Sequence, residues 1–263
     1  MDKGYVLHSY PYRETSLILQ MWTEKHGRLG LVAKGARRPK SASRSVLVPF
    51  QPLSLDWFGR GELRTLKTAE PASPATPLGG SSLLSAFYLN ELLLKLTTRD
   101  DPHEGLFAAY DEAITSLRSI TRQGPRVAAS VASEPAAQAA RDIEPVLRRF
   151  ELRLLQELGY AVELTQESRT QAPIEAERDY WYVVERGPIA AVEGESPANA
   201  VRLRGQTLID LARGTFDDVV TIGQSKQLMR LLIHHSLNGQ ELATRALVRD
   251  LQRLEDEHGA PDP

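Results

Sequence analysis

The sequence predicts an α+β protein in which a small antiparallel β-barrel precedes a mainly helical domain with a small inserted β-hairpin. Three observations lead to this prediction. Apolar residues alternate with a period of two from Tyr5 to Glu70, and from Ser82 onward they recur at helical spacing. Between these regions lies a segment rich in proline and glycine, which is typical of a domain boundary.

The first 70 residues contain about five or six short runs with strand periodicity. They begin at Tyr5, Leu17, Leu29, Val46, Leu53 and Leu63. The fourth run is formed by Val46, Val48 and Phe50. Short strands favour a closed barrel, because an open sheet would leave long unpaired edges. Five strands in roughly 70 residues is the size of an OB-fold.

Residues 73–82 are predicted to link a barrel domain at 1–72 to a helical domain at 83–263. Prolines and glycines interrupt both kinds of periodicity here, and Ser81 and Ser82 are suitable helix N-caps.

Apolar spacing predicts the helices that follow. The first is apolar over most of its circumference and should be central to a bundle. A second helix starts at Asp101-Pro102, and Pro145 opens a third that ends at Gly159. The last three lie around Leu208 and Leu211, at 226–237 and at 241–254, where Leu247, Leu251 and Leu254 form the predicted inward stripe.

Three segments depart from helical spacing. Residues 123–142 are rich in Ala, Ser and Pro and are predicted to be flexible or weakly helical. A hairpin is predicted at about 165–200, where Tyr180, Trp181 and Tyr182 could pack in the core or stack on bases, with packing favoured. The acidic end, residues 255–263, is expected to fray.

Charge divides unevenly along the chain. Residues 1–70 hold 12 Lys and Arg against 6 Asp and Glu, a net charge of +6, whereas the whole chain has −2. This imbalance indicates a polyanionic partner at the N-terminal end.

A stretch from Gly27 to Ser45 concentrates this charge. A predicted strand breaks at Gly35 into an acid-free loop that carries Lys34, Arg37, Arg38, Lys40 and Arg44. Such a loop can follow a phosphate backbone, and it can equally be a solvated turn. The loop alone favours neither interpretation.

Several classes of site are excluded or disfavoured. The absence of cysteine excludes disulfides, thiolate zinc sites and cysteine nucleophiles. No phosphate-binding loop, dinucleotide fingerprint or nucleophile elbow occurs. His234 and His235 are adjacent on a predicted helix and point about 100° apart, so a structural role is favoured. We therefore expect neither an enzyme nor a cofactor. Without a signal peptide or apolar span, the expected location is cytoplasmic and nucleoid-associated.

A series of short motifs resembles one family in a single order. The barrel region contains RETS at 13–16, TEKHGR at 23–28, AKGARR at 33–38, PFQPL at 49–53 and GEL at 61–63. YLNELL at 88–93, LFAAY at 106–110, RFELRLL at 149–155 with LGY at 158–160, and GQELATR at 239–245 continue the series. Together they resemble RecO, the bacterial recombination mediator and DNA repair family.

The resemblance implies an OB domain and a helical domain that bind single- and double-stranded DNA. It also implies ATP-independent annealing and help in loading RecA onto DNA coated by single-stranded DNA-binding protein (SSB), with RecR. Many family members carry a four-cysteine zinc site after the LGY segment. Because this chain has no cysteine there, it resembles a zinc-free branch, and the hairpin aromatics are expected to hold the region by packing.

Cations of the basic loop are the first candidates for phosphate contacts: Lys34, Arg37, Arg38, Lys40 and Arg44. Arg13, Lys25 and Arg28 are second candidates, on the expectation that they flank the same barrel face. Trp22 or Trp57 could stack on bases, although their apolar neighbours favour burial.

A receptor for the acidic SSB tail should combine cations with an apolar notch. Arg149 and Arg153 share a helix face beside an apolar stripe, and an ion pair with Glu157 on that face is the favoured alternative. Arg245 could contact a partner or face solvent.

Two other functions stay open at this point. An RNA-binding OB module would carry the same basic loop, because phosphate contacts read neither sugar nor base. An enzyme acting on nucleic acid is the third possibility.

Overall fold

The computed structural model describes residues 1–74, 76–123, 134–160 and 162–258. Its contacts group the chain into two compact units. The first unit is Met1–Gln123 with Leu242–Pro263, and the second is Gly124–Glu241. The division into a barrel domain at 1–72 and a helical domain at 83–263 stays a prediction.

Strands dominate the start of the chain and helices the remainder. In order, the described elements are β1 Asp2–Tyr12, β2 Ser16–Thr23, β3 Gly27–Ala33, α1 Ser43–Val46, β4 Leu53–Phe58, β5 Leu63–Pro71, α2 Gly80–Leu96, α3 Glu104–Gln123, α4 Glu134–Glu157, β6 Asp179–Val183, β7 Gly187–Ala190, β8 Ala200–Arg204, α5 Gly205–Arg213, α6 Val219–Ser236 and α7 Ala243–His258.

The first five strands close into a barrel in the order β1-β2-β3-β5-β4, which confirms the predicted N-terminal barrel. β3 and β5 run parallel, and the other neighbouring pairs are antiparallel. Closure pairs both edges of the sheet, so no long edge is left open to solvent.

Alternation along the strands places one set of side chains in the barrel core. Leu19, Met21, Leu29, Leu31 and Leu53 are all fully or almost fully buried there. Burying such side chains contributes about 1.5–3 kcal/mol each relative to exposure. Trp22 is fully buried and Trp57 packs against the core, as their neighbours predicted.

The predicted strand at Val46, Val48 and Phe50 is wrong. The chain instead forms the short helix α1 and an irregular turn in which Phe50 has a positive φ of 68°. Leu47 is buried in the barrel core and Phe50 packs against Phe87 of α2, while Val48 is exposed, so the apolar spacing reflects contacts to two different elements rather than a strand. A positive φ and Pro49 are both incompatible with a continuous strand.

Helices α2, α3 and α7 complete the first unit. Asn90 on α2 donates a hydrogen bond to the Leu7 carbonyl of β1 (2.9 Å) and accepts one from the Tyr110 hydroxyl (2.6 Å). Glu91 accepts hydrogen bonds from the Ala243 and Thr244 amides (2.7 and 2.9 Å), so it caps the start of α7. Two adjacent side chains of α2 thereby connect it to β1, to α3 and to the otherwise unsatisfied amides at the start of α7.

The predicted inward stripe of α7 is wrong at Leu247, which is 50% exposed. Helical spacing identified an apolar face on this helix without showing what covers it. The side chains of Leu251 and Leu254 and the chain beyond 258 lie outside the described residues.

The second unit contains a small antiparallel sheet in the order β7-β6-β8. The predicted hairpin corresponds to β6 and β7, and β8 is a third strand that the sequence did not indicate. Tyr180 and Tyr182 are buried, so these two aromatics pack in the core as predicted. Trp181 between them is only partly buried, since strand residues alternate between faces.

Two predicted helix starts in this unit are wrong. α4 begins at Glu134, so Pro145 lies inside it rather than opening it. Ile143 and Phe150 are buried on either side, and this packing maintains a helix that the proline weakens. α6 begins at Val219, where Asp218 accepts a hydrogen bond from the Thr221 amide, rather than at 226. Within the predicted weakly ordered segment 123–142, residues 124–133 lie outside the described residues.

Candidate nucleic-acid interface

The basic loop between β3 and α1 is built on successive turns. Gly35 has a φ of 70°, which glycine adopts without strain, and its carbonyl accepts a hydrogen bond from the Arg38 amide at 3.1 Å. The Arg38 carbonyl in turn accepts one from the Ser41 amide at 3.0 Å. Ala36 is buried in the barrel core. The buried Ala36 therefore anchors the loop to the barrel while its cations extend outward.

A second turn contacts this loop. The Arg37 amide donates a hydrogen bond to the Thr15 carbonyl (2.8 Å), and its guanidinium lies 3.4 Å from the Arg13 carbonyl. Arg13, at a φ of 51°, places its own guanidinium over the Tyr12 ring, 5.1 Å from the centroid. The structure thus brings the predicted Arg13 to the basic loop.

These cations face solvent. Lys34, Arg37, Arg38, Lys40, Arg44 and Arg13 are all exposed. Within the part of the chain that the structure describes, none of the six forms an ion pair with an acidic side chain. Exposed cations that are not ion-paired with acidic side chains can release counterions when they contact phosphates, which is the main source of affinity for DNA.

The structure does not bring Lys25 and Arg28 to this surface. Arg28 lies near the start of β3 and Lys25 in the turn before it, whereas the basic loop follows the other end of this strand, about 20 Å away. Arg28 donates a hydrogen bond to the Thr97 carbonyl at 2.7 Å, and its burial, followed by the nearby Arg99, lowers its pKa. Arg28 serves as a contact between barrel and helix here, whereas Lys25 is exposed.

Sequence reasoning missed a row of outward-facing side chains below the basic loop. Strand register aligns Tyr10, Ile18, Val32, Thr65 and Phe58 across all five strands, and we name these residues the cross-barrel row. Tyr10 is 49% exposed and Phe58 56% exposed. A signal in the sequence exists for Phe58, which falls on an outward position of β4, a strand whose Leu53 and Leu55 are buried.

The predicted partner residues are engaged inside their own units. Arg149 donates a hydrogen bond to the Gly214 carbonyl (3.2 Å) and lies over the Phe216 ring. Arg153 and Glu157 form an ion pair of 2.5 Å. Arg245 donates to the Tyr88 hydroxyl (3.2 Å) and lies over its ring. A partner could therefore bind one of these arginines only if that arginine gave up its existing contact.

A catalytic arrangement is not evident in the described residues. Among them, no group of three or more His, Cys, Asp or Glu side chains is placed to hold a metal ion. His235 lies 3.1 Å from a Glu185 oxygen on an exposed surface. In the same part of the chain, no helix is both long and apolar enough to cross a membrane.

Comparison with known families identifies the chain's relatives. Residues 1–75 match the family described as Recombination protein O N terminal, and residues 136–245 match Recombination protein O C terminal. The chain belongs to the RecO family. The resemblance predicted from short motifs is thereby confirmed, and the zinc-free branch stays a prediction.

RecO proteins from several bacteria are similar over almost the full length. The DNA repair protein RecO of Azoarcus sp. (strain BH72) is 46% identical over 254 residues, 96% of each chain. Those of Nitrosospira multiformis and Aromatoleum aromaticum are 46% and 43% identical over 251 residues, 95% of each chain. The barrel and the basic loop therefore belong to a DNA repair and recombination family.

Proposed function

We propose that this RecO-family protein is a non-enzymatic, DNA-binding recombination mediator that anneals complementary strands without ATP. It binds single- and double-stranded DNA through the basic loop. One observation carries the proposal: six exposed cations, including Arg13 from a separate turn, converge at one end of the barrel without acidic partners.

The geometry suits annealing for a physical reason. Annealing requires that two strands be held while their bases remain free to pair. Contacts from exposed Lys and Arg side chains to phosphates hold the backbone without engaging base edges. The loop is anchored through Ala36 and through the Arg37 amide, so its cations stay at the same end of the barrel.

Family membership supports the proposed partners. The protein would act with RecR and the acidic C-terminal tail of SSB, and it would help to load RecA onto SSB-coated single strands. Arg149, Arg153 and Arg245 remain the proposed contacts for a protein partner. RNA binding is the alternative function, because the loop's phosphate contacts do not distinguish the two sugars.

The test compares annealing of complementary oligonucleotides by the wild type and by a variant with Lys34, Arg37, Arg38 and Lys40 replaced by Ala. The slope of log affinity against log salt should become shallower by about 0.7 for each phosphate on a single strand that the variant no longer binds, and annealing should fall with it. Competition with an RNA of the same sequence tests the alternative function.

A matched control removes the same charge from the second unit, by replacing the exposed Arg169, Arg186, Arg213 and Arg230 with Ala. We expect this control to keep the wild-type slope. A folded loop variant that binds and anneals like the wild type would show that the loop is a solvated turn. A shallower slope in the control would place DNA on the second unit.

A further inference from the structure

The cross-barrel row has an unusual composition for an outer barrel surface. Tyr10 and Phe58 stand at its ends, Ile18 and Val32 form its partly buried middle, and Thr65 is the one polar member. The exposed Leu63 lies two residues before Thr65 on β5, on the same outward side of the strand. Exposed large apolar side chains grouped on one face indicate a binding surface.

Cations border this apolar face. Lys34 follows Val32 by two residues, directly after β3 ends at Ala33, so it continues the same outward side toward the basic loop. On β1, the outward Tyr12 leads directly to Arg13. An apolar floor beside an exposed cationic margin is complementary to a single nucleic-acid strand, which presents base faces on one side and phosphates on the other.

We propose that the cross-barrel row is a base-stacking platform for single-stranded DNA, with Tyr10 and Phe58 as the stacking residues. This inference rests on the proposed function, because it requires the basic loop to hold the phosphates of the same strand. The row spans four interstrand spacings, about 19 Å along the curved surface. That length suits about four or more nucleotides, the lower range for one OB-fold.

The platform leaves bases able to pair. Stacking on Tyr10 or Phe58 engages the face of a base and not its hydrogen-bonding edge. The apolar middle of the row offers no competing donors or acceptors, and the nearby Gln20 is buried with its amide oxygen 3.5 Å from an Arg99 nitrogen. The platform therefore binds every sequence alike and keeps strands ready for annealing.

His8 supports one end of the platform. Its ring lies 4.4 Å from the Tyr10 ring, centroid to centroid, at an angle of 60°. The contact restricts the orientations of the Tyr10 side chain before DNA arrives. A pre-ordered aromatic side chain loses less conformational entropy on binding.

The test measures affinity for a 15-nucleotide oligothymidylate and for an abasic strand with the same number of phosphates. The wild type should prefer the strand with bases by at least about 5-fold for each stacked base. In the double variant Tyr10→Ala and Phe58→Ala, this preference should fall nearly to one while the salt slope stays that of the wild type. Tyr10→Phe should retain the preference, since it keeps the ring.

Controls separate this inference from the proposed function. The loop variant should weaken binding of both strands and keep the ratio of their affinities. Tyr160→Ala removes an exposed aromatic from the second unit and should change neither the affinities nor their ratio. Equal wild-type binding of both strands, or an unchanged ratio in the folded double variant, would overturn the stacking platform alone. A wild-type protein that binds neither strand would overturn both proposals.

Discussion

The backbone amide of Arg37 donates a hydrogen bond to the carbonyl of Thr15, 2.8 Å away, and thereby joins the basic loop to the turn between β1 and β2. The two residues are distant in sequence, yet this bond places Arg13 beside the loop. A backbone contact does not depend on which side chains occupy the two positions. The shared cationic surface is therefore a consequence of the antiparallel pairing of β2 with β3, which ends at Leu17 and Ala33.

Arg13 and Lys25 should differ in their effects on DNA binding, although both are exposed cations on tight turns of the barrel. Arg13→Ala should make the single-strand salt slope shallower by about 0.7, because Arg13 lies beside the loop. Lys25→Ala is the matched control at the opposite end of β3 and should leave the slope unchanged. Fluorescence anisotropy across a salt series measures both, and the reverse order would contradict the assigned surface.

Glu91 should make stability depend on pH. Burial opposes its ionisation, but hydrogen bonds from Thr244 and Ala243 outweigh burial and hold its pKa below the ordinary value. A lowered folded-state pKa adds stability above the unfolded-state value of about 4.3, and this stability is lost as pH falls through the folded-state pKa.

The measurement for Glu91 is denaturant unfolding of Glu91→Gln and wild type at pH 7 and near pH 3. At pH 7 the variant should be less stable by roughly 1–2 kcal/mol, since charge-assisted bonds to the α7 amides are weakened. The difference should shrink at pH 3. Glu112→Gln, an exposed glutamate on α3, is the control and should show little change at either pH. A constant difference for Glu91→Gln would argue against the charged cap.

Glu167 should stabilise the loop after α4. This buried carboxylate accepts hydrogen bonds from the Thr170 amide and hydroxyl, both at 2.6 Å, and from the Arg169 amide at 3.2 Å. Glu167→Ala leaves these donors without the carboxylate and should lower the free energy of unfolding by roughly 1–3 kcal/mol. Glu195→Ala changes an exposed glutamate in the same unit and should have little effect. Equal stability of both variants would contradict the role of Glu167.

Chelation should leave the protein intact. Glu163 and Glu167 accept hydrogen bonds that organise the segment after α4, and this chain has no cysteine. Dialysis against EDTA should therefore change neither the unfolding temperature nor the affinity for single-stranded DNA. A lower unfolding temperature together with zinc in the purified protein, measured by elemental analysis, would contradict a zinc-free fold.

Periodicity predicted the barrel well and its fourth run poorly. Leu19, Met21, Leu29 and Leu31 alternate as core strands must, and the structure buries them. The run from Val46 to Phe50 has the same spacing, but a positive φ at Phe50 breaks it. Spacing reports which side chains are apolar and cannot report backbone conformation at a single residue.

Helices likewise show correct apolar spacing together with an incorrectly predicted boundary. The apolar spacing of α4 predicts a helix correctly, but the preference of proline for the first helical position wrongly predicts a start at Pro145. Packing of Ile143 and Phe150 overrides that preference. At Leu247 tertiary structure removes burial that the spacing predicts, since an apolar position on a helix is buried only if another element covers it.

The sequence by itself determined the barrel-then-helices order, the acid-free basic loop and, through its motifs, the RecO family. Each of these depends on residues close together in the chain. Tertiary structure alone decided that Arg13 joins the loop, that Arg28 instead bonds the Thr97 carbonyl, and that Tyr10 and Phe58 share one row. The positions of Arg13, Tyr10 and Phe58 arise from strand register, and the Arg28 contact arises from α2 ending beside the barrel. Both bring together segments that are distant in the chain, so no local pattern encodes them.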